Sequence, residues 1–502
     1  RGVFLEVMNS NGYWTPGEVP VFVTDVYFFG LRKTDPEFLK KQLPCLVKSK
    51  NLRELLRNCS ELKQMLMNLN IFHSVQLAVD VDSKSAVDDA YKVSFVVQER
   101  KPQTLKAQWT VNTDGAMRLG GYYSLNNIFR KGERLQIDVS MGRDASALRS
   151  ATFTKPLEKN PTMFFSFGGS EGTYDHWWSR FMRHEKSLFA EFLAPSRFGV
   201  HRLSWSYLWR ELEASGRNTP WAVRMESGQS MRMNLRHQLE FDTRSDRIFP
   251  DDGLLLRLAK DITFITPGPP GAGVNNEDEP ARGTSVLPIS NAIQLRLESL
   301  LQCPFRLTSW LVGELTFSTG LVHSLTRHPV SIADRFFLGG PLDFRGFKFC
   351  GLGPSEPLLV PRPVNSEFLL EPAPQPADDD IHRSPVGALG SWLAGAHFYS
   401  PLPLWGAAQD SMGSLFRLHA FAMTGSLVSD PVAAAKRALS LGQYNRLMEF
   451  LDIRPRYVLG AGLILRFAQM ARLELNYCLP MSSQPGDGVQ SGFQLGIGVS
   501  YM

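Results

Sequence analysis

The chain has 502 residues, 43% of them hydrophobic and 21% charged, with a formal net charge of +5 and a mean hydropathy of −0.15. That length excludes one small domain, and so mild a positive charge excludes the basic footprint of a nucleic-acid binder. No window of about 18 uncharged apolar residues occurs, which excludes a transmembrane helix but not a barrel, whose strands carry apolar residues at every second position.

Residues 1–19 read as a lead segment; the chain begins at Arg1, and sequence before it is expected to be missing. Residues 20–100 carry mixed signals. Val21 to Phe28 is a strand-like run that ends at Gly30. Asp35 can cap a short helix holding Phe38, Leu39 and Leu43. Leu55, Leu56, Leu62, Leu66 and Leu69 recur near helical spacing and predict a second helix over 52–69. Strands follow over 72–79 and 91–97, so the order β-α-α-β-β makes one compact α+β domain.

From about residue 103 the period becomes two. Leu135, Ile137, Val139 and Met141 alternate with polar residues, and so do Met231, Met233 and Leu235, then Leu473, Leu475 and Tyr477. The polar face is charged. A soluble sandwich and a wet-lumened barrel both put one face in water, so alternation alone leaves both open. The number of strands decides. About sixteen fit between 103 and 502, an even number typical of antiparallel outer-membrane barrels and unusual for one soluble sheet. The fold class read here is therefore an all-β transmembrane barrel of about 16 antiparallel strands over 101–502, behind the N-terminal α+β domain. The proline-rich stretches 265–285 and 354–385, the latter holding Asp378-Asp379-Asp380, read as exposed loops.

No catalytic signature appears. There is no Gly-x-Ser-x-Gly elbow or Walker A loop, and His184-Glu185 lacks the second histidine of a zinc-protease motif because Leu188 stands there. A solvated polar pair is the reading for those two. Five cysteines without Cys-x-x-Cys or Cys/His spacing predict free thiols, no metal site and no cofactor. Trp177-Trp178 reads as an interfacial aromatic anchor.

The most informative stretch is Asp334-Arg335-Phe336-Phe337-Leu338-Gly339-Gly340-Pro341-Leu342-Asp343-Phe344-Arg345-Gly346-Phe347. Its glycines permit tight turns, and an arginine confined in a lumen needs partners. With Gly353-Pro354 it closely resembles the lumenal-loop signature of the POTRA-plus-barrel insertase superfamily. Within that superfamily it resembles the barrel subunits of the mitochondrial sorting and assembly machinery (the SAM complex). Residues 20–100, including Leu69-Asn70-Ile71-Phe72, look like the family's single POTRA domain, with Asn70 where glycine is more usual. Asp242-Thr243-Arg244, leading to Gly253, is similar to its Asp-Thr-Arg hairpin. Residues 471–478 resemble its penultimate strand. Gln494, Gly496, Val499 and Tyr501 fit the terminal β-signal of a barrel.

The resemblance implies a mitochondrial outer-membrane protein with its N-terminal domain in the intermembrane space and a loop, 331–354, folded into the lumen. It implies assembly of unfolded β-barrel precursors among membrane lipid and other SAM subunits, without bond-making chemistry. It assigns Arg335, Gly339, Gly340, Phe344, Arg345, Gly346 and Phe347 to the loop motif. Met423 and Leu389 stand where the family has an amide and an acid, which leaves Asp343, Asp334 and Glu474 as candidate partners of Arg345. Two rival readings are a passive channel or transporter on the same barrel, and a divergent scaffold copy with weakened insertase activity.

Overall fold

A computed structural model describes residues 20–82, 90–111, 117–142, 146–216, 218–267, 291–326, 328–358, 383–402, 412–440, 454–467 and 471–498. The lead segment, most of both proline-rich loops, Asp378–Asp380, Val499 and Tyr501 lie outside the described residues.

The N-terminal unit runs β1 (Phe22–Phe29), α1 (Pro36–Lys40), α2 (Pro44–Val47), α3 (Leu52–Asn68), β2 (Phe72–Val81) and β3 (Ala90–Glu99). Asp35 caps α1 by accepting from the Glu37 amide at 3.0 Å, and Pro36 opens the first turn. The first helix expected from sequence is two short ones, because Pro44 has no amide proton to continue the turn and instead starts α2. In α3, Leu55, Cys59, Leu62 and Leu66 are buried against the sheet, whereas Leu56 is off that face and exposed. Asn70 ends the segment in the left-handed region (φ 59°), a conformation that favours glycine and tolerates asparagine. The sheet order is β1-β3-β2, with β1 parallel to β3.

Sixteen further strands form one sheet. The first half holds β4 (Gln103–Val111), β5 (Met117–Asn126), β6 (Arg134–Gly142) and β7 (Ala147–Pro156), then β8 (Phe164–His176), β9 (Phe181–Ser196) and β10 (Gly199–Ala214). After α4 (Trp221–Glu226) come β11 (Gly228–Asp242), β12 (Leu255–Pro267), β13 (Ala292–Arg306) and β14 (Val312–Ser324). The chain then leaves the wall. A small ribbon of β15 (Ser355–Pro357) and β16 (Arg383–Pro385) lies in the excursion. The wall resumes with β17 (Gly390–Pro401), which pairs directly with β14, and β18 (Phe416–Val428). After α5 (Pro431–Ser440) it ends with β19 (Arg456–Phe467), β20 (Ala471–Ser482) and β21 (Gly492–Gly498). Each strand is antiparallel to the next, and β4 and β21 stand at the two ends of the order, unpaired with each other among the described residues.

Burial settles what alternation left open. Leu203, Trp205, Met233, Phe264, Phe317 and Leu475 are exposed on the outside, while Arg232, Asp261, Gln294, Glu314 and Glu474 are buried on the inside. A soluble sheet does the reverse. Apolar outside and charged inside is the pattern of a barrel whose solvent is lipid.

The N-terminal unit sits at the mouth where β4 begins, here the proximal mouth. Glu158, in the turn after β7, pairs with Lys41 at 2.8 Å and Lys131 at 2.6 Å. Glu99 accepts from the Thr34 hydroxyl at 2.6 Å, and Asn127 donates to that hydroxyl at 2.9 Å. The Asp35 amide donates to the Arg130 carbonyl at 2.8 Å. Turns 127–133 and 157–163 therefore dock the unit against the β5–β8 side of the rim.

Candidate functional site: a lumenal loop anchored on two walls

The excursion between β14 and β17 starts at the distal mouth and folds back inside. Gly339 (φ 119°) and Gly346 (φ 83°) hold backbone that side chains rarely adopt. A Cβ on Gly339 would lie 2.4 Å from the Lys348 carbonyl oxygen, and one on Gly346 would lie 2.9 Å from Val458 Cγ1. Phe344 and Phe347 are fully buried, with ring centroids 5.1 Å apart, and pack with Leu338, Leu352, Phe421 and Val458. These apolar contacts press the loop tip against β18–β20.

Arg345 lies between those rings and the wall with no exposed surface. Its Nε and Nη2 donate to one carboxylate oxygen of Glu474 on β20, at 3.1 and 2.8 Å. Glu474 also accepts from Asn476 at 2.8 Å and pairs with Arg472. Phe421 faces the guanidinium at 5.2 Å. Of the three candidate partners, Glu474 is the one engaged. Asp334 is taken by other arginines. Met423 does not leave a hole: its sulfur accepts from Arg345 Nη1 at 3.4 Å. Leu389 sits at the distal rim, bonded through its backbone to Val322 and Ser429, so it withdraws no partner from this contact.

The last strand grips the same turn. Gln494 accepts from the Gly346 amide at 2.9 Å and donates to the Phe347 carbonyl at 3.2 Å. Gly496 lets Leu342 and Pro341 approach. The two described β-signal residues thus face the lumen and touch the loop.

The other end of the loop is fastened across the barrel. Asp334 pairs with Arg210 on β10 at 2.7 Å and with Arg232 on β11, and its carbonyl accepts from Arg296 on β13 at 2.6 Å. Burial alone would raise the Asp334 carboxyl, but Arg232 and Arg210 outweigh it and hold the group well below the usual carboxylate range. In the strand order β10 and β11 are seventh and eighth, while β20 and β21 are fifteenth and sixteenth. Half a turn of a sixteen-stranded barrel separates them, so the loop is a strut across the lumen. Arg335 ties the strut's base to α4, meeting Glu226 at 3.1 Å and the carbonyls of Val330 and Val386 at 3.2 Å each.

Two readings need correction. Trp178 is not a membrane anchor: it meets Phe349 edge-on at 4.9 Å and Phe337 at 6.4 Å, so this ring packs on the loop, while Trp177 beside it is exposed. Glu185 is not part of a solvated pair, since it points inward and accepts from Arg210 at 2.7 Å. The hairpin residues form their own unit. Arg244 clasps Asp242 through two contacts at 2.9 Å and reaches Gln302 at 2.9 Å, and Gly253 closes the turn at φ 103°. Sequence reasoning missed Asp334 as an anchor, together with Arg210 and Arg232. The signal was present in the period-two charges of β10 and β11, but strand stagger decides which charge meets the loop.

A sixteen-stranded lipid-facing wall, a first-to-last seam unpaired among the described residues and an arginine-locked lumenal loop define an Omp85-type outer-membrane barrel. A family profile described as the Omp85 superfamily domain matches residues 127–501, and the chain belongs to that superfamily. It is similar to sorting and assembly machinery component 50 homolog B of Xenopus laevis, at 30% identity over 484 residues, covering 96% of this chain and 91% of the relative. The homolog from Homo sapiens is 29% identical with the same coverage. The fold is also that of BamA from Haemophilus ducreyi lacking POTRA domains 1–3, with a TM-score of 0.66 at 15% identity, over 95% of this chain and 84% of that one.

Proposed function

We propose that this barrel inserts and assembles β-barrel precursors in the mitochondrial outer membrane, as the barrel subunit of a sorting and assembly machinery. The N-terminal unit acts as a POTRA-like domain over residues 20–100, in the intermembrane space. The observation that carries the reading is the seam between β4 and β21, unpaired among the described residues, whose flank is held from inside by Arg345–Glu474 and Gln494. A client strand entering lipid alone would expose backbone groups at a cost of several kcal/mol each. An open strand edge removes that cost by pairing with the client. The wall is also low here: β4 to β7 have 9 or 10 residues, against 16 in β9 and β10. At about 3.3 Å per residue that is roughly 30 Å against roughly 50 Å, which supports a thinned bilayer beside the seam. Lumenal partners remain in place despite Met423, which favours an active insertase over a degenerate scaffold. Depletion of the protein should lower the steady-state amounts of other outer-membrane barrels, and wild-type chain but not Arg345→Ala should restore them. Unaltered barrel levels after depletion would refute the reading.

A further inference from the structure

The hairpin between β11 and β12 takes no part in fastening the lumenal loop. A turn of residues 243–254 at the proximal mouth could simply project beyond the membrane. This one folds inward. Asp246 pairs with Arg466 on β19. Asp251 meets Arg306 on β13 at 3.4 Å and Arg417 on β18 at 3.5 Å. Phe249 lies under both the Arg417 and Arg466 guanidiniums, at 4.9 and 4.7 Å. Ile248 and Phe249 are buried with Val312 of β14, Tyr399 of β17 and Ile464 of β19. Five successive wall strands thus send side chains to a turn that starts two strands away. It can meet all five only by lying across the lumen at its proximal end.

The fixings are of a kind that holds. Two carboxylates face three arginines, and an aromatic ring lies under two of the guanidiniums, so each carboxylate has a cation and apolar surface is covered. The clasp of Arg244 on Asp242 and the left-handed Gly253, whose Cβ would fall 2.4 Å from the Thr243 carbonyl oxygen, set the direction of the fold. On the β5–β8 side of the same rim the N-terminal unit is docked. The hairpin covers the arc from β11 to β19. Among the described residues neither covers the arc of β20, β21 and β4, which is the seam.

We propose that hairpin 243–254 is a fixed seal of the proximal mouth. It keeps the lumen closed to ions and to chains, so that a client arriving from the N-terminal unit is delivered to the seam and never enters the barrel. The delivery half rests on the insertase reading; the seal half does not. The test takes the purified full chain into planar lipid bilayers. Asp246→Asn combined with Asp251→Asn removes all three ion pairs without removing the turn, and Phe249→Ala empties the centre of the seal. Each is expected to raise single-channel conductance several-fold over wild type, with the folded barrel confirmed by heat-modifiable gel migration. Folded variants that conduct like wild type would overturn the seal. If neither folds, Ile248→Cys with Ile464→Cys, joined by a short bifunctional thiol reagent, gives the second measure. The joined protein is expected to assemble clients as fast as the same variant treated with a monofunctional reagent. Loss of assembly only on joining means that the hairpin must move, and the fixed seal is then wrong. Conductance reads the seal even if client assembly proves not to be this protein's work.

Discussion

Glu474→Gln changes one charge and almost no volume, so it isolates what the carboxylate does. The native group is fully buried and serves two guanidiniums at once: Arg345 from the loop, at 3.1 and 2.8 Å, and Arg472 from its own strand. Removing it leaves two buried cations without the anion that bridges them. Breaking one buried pair in this way costs about 3–5 kcal/mol, and sharing between two partners places this site at the upper end, about 5 kcal/mol. Arg345→Met is milder, because Glu474 keeps Arg472 and Asn476; its cost should be nearer 3 kcal/mol. Part of either cost falls on loop docking, and at about 1.4 kcal/mol per decade the Gln variant should populate the released loop between 100-fold and several thousand-fold more often. Trypsin cleavage after Lys348 reports that release, provided reclosing outpaces cutting. The two changes share one contact, so their combination should cost at least about 2 kcal/mol less than their sum. Additivity within about 0.5 kcal/mol would refute the idea that this pair is what locks the loop.

Gln494→Ala deletes the side-chain bonds to Gly346 and Phe347 and leaves both backbone groups buried; it should loosen the loop by about 2 kcal/mol in the same proteolysis assay. Asp334→Asn strips the opposite wall's anchor from Arg210 and Arg232 and should cost about 3 kcal/mol, seen as faster cleavage after Arg335 with Lys348 still protected. Met423→Asn replaces a weak sulfur acceptor of Arg345 with an amide oxygen and should strengthen loop docking by up to about 1 kcal/mol, less any packing lost around the buried methionine. The Glu158 carboxyl is drawn down to about 2 by hydrogen bonds from Lys131 and then Lys41. A depressed carboxyl contributes fully above its unfolded value of about 4.3 and loses that contribution as pH falls toward the folded one. Docking of the N-terminal unit, followed by hydrogen exchange in turn 127–133, should therefore hold constant from about pH 8 to pH 5 and weaken only below about pH 4.

How much of this was legible depends on the range of each interaction. Period-two alternation and helical spacing are local, and they located the strand-rich wall and α3 with little error. Asp35 caps a helix with its own side chain and Asn70 ends one through its left-handed backbone, both local effects that can be read from neighbours. The loop motif was legible as a motif because glycines and Arg345 are adjacent in sequence. Its partners were not. Glu474 is 129 residues from Arg345, and nothing local separates it from Asp343 or Asp334. The choice follows from strand stagger, which sets the height of each wall residue. Trp178 misled for the same reason: composition favours a membrane interface, but its ring faces the loop.

The barrel has a structural problem that the strut resolves. Among the described residues no bond pairs β4 with β21, so the sheet of sixteen strands has two open edges there, and in-plane hydrogen bonding does not fix the distance between them. Membrane barrels normally solve this by closure. Here the missing in-plane bonds are replaced by bonds through the lumen. Arg345 and Gln494 hold the β20–β21 flank, Asp334 holds β10 and β11 opposite, and the apolar tip of the loop fills the space between. Such a brace fixes one flank of the seam while leaving its backbone edge free. The opposite flank, β4, has no equivalent lumenal fastening to this loop among the described contacts; it is continuous with the docked N-terminal unit through residues 100–102, where Arg100 donates to Ile71 and Phe72. The two sides of the seam are thus governed by different bodies. A movement of the N-terminal unit would shift β4 while β21 stayed fixed by the strut, which is the asymmetry an edge needs if it is to open without the wall collapsing.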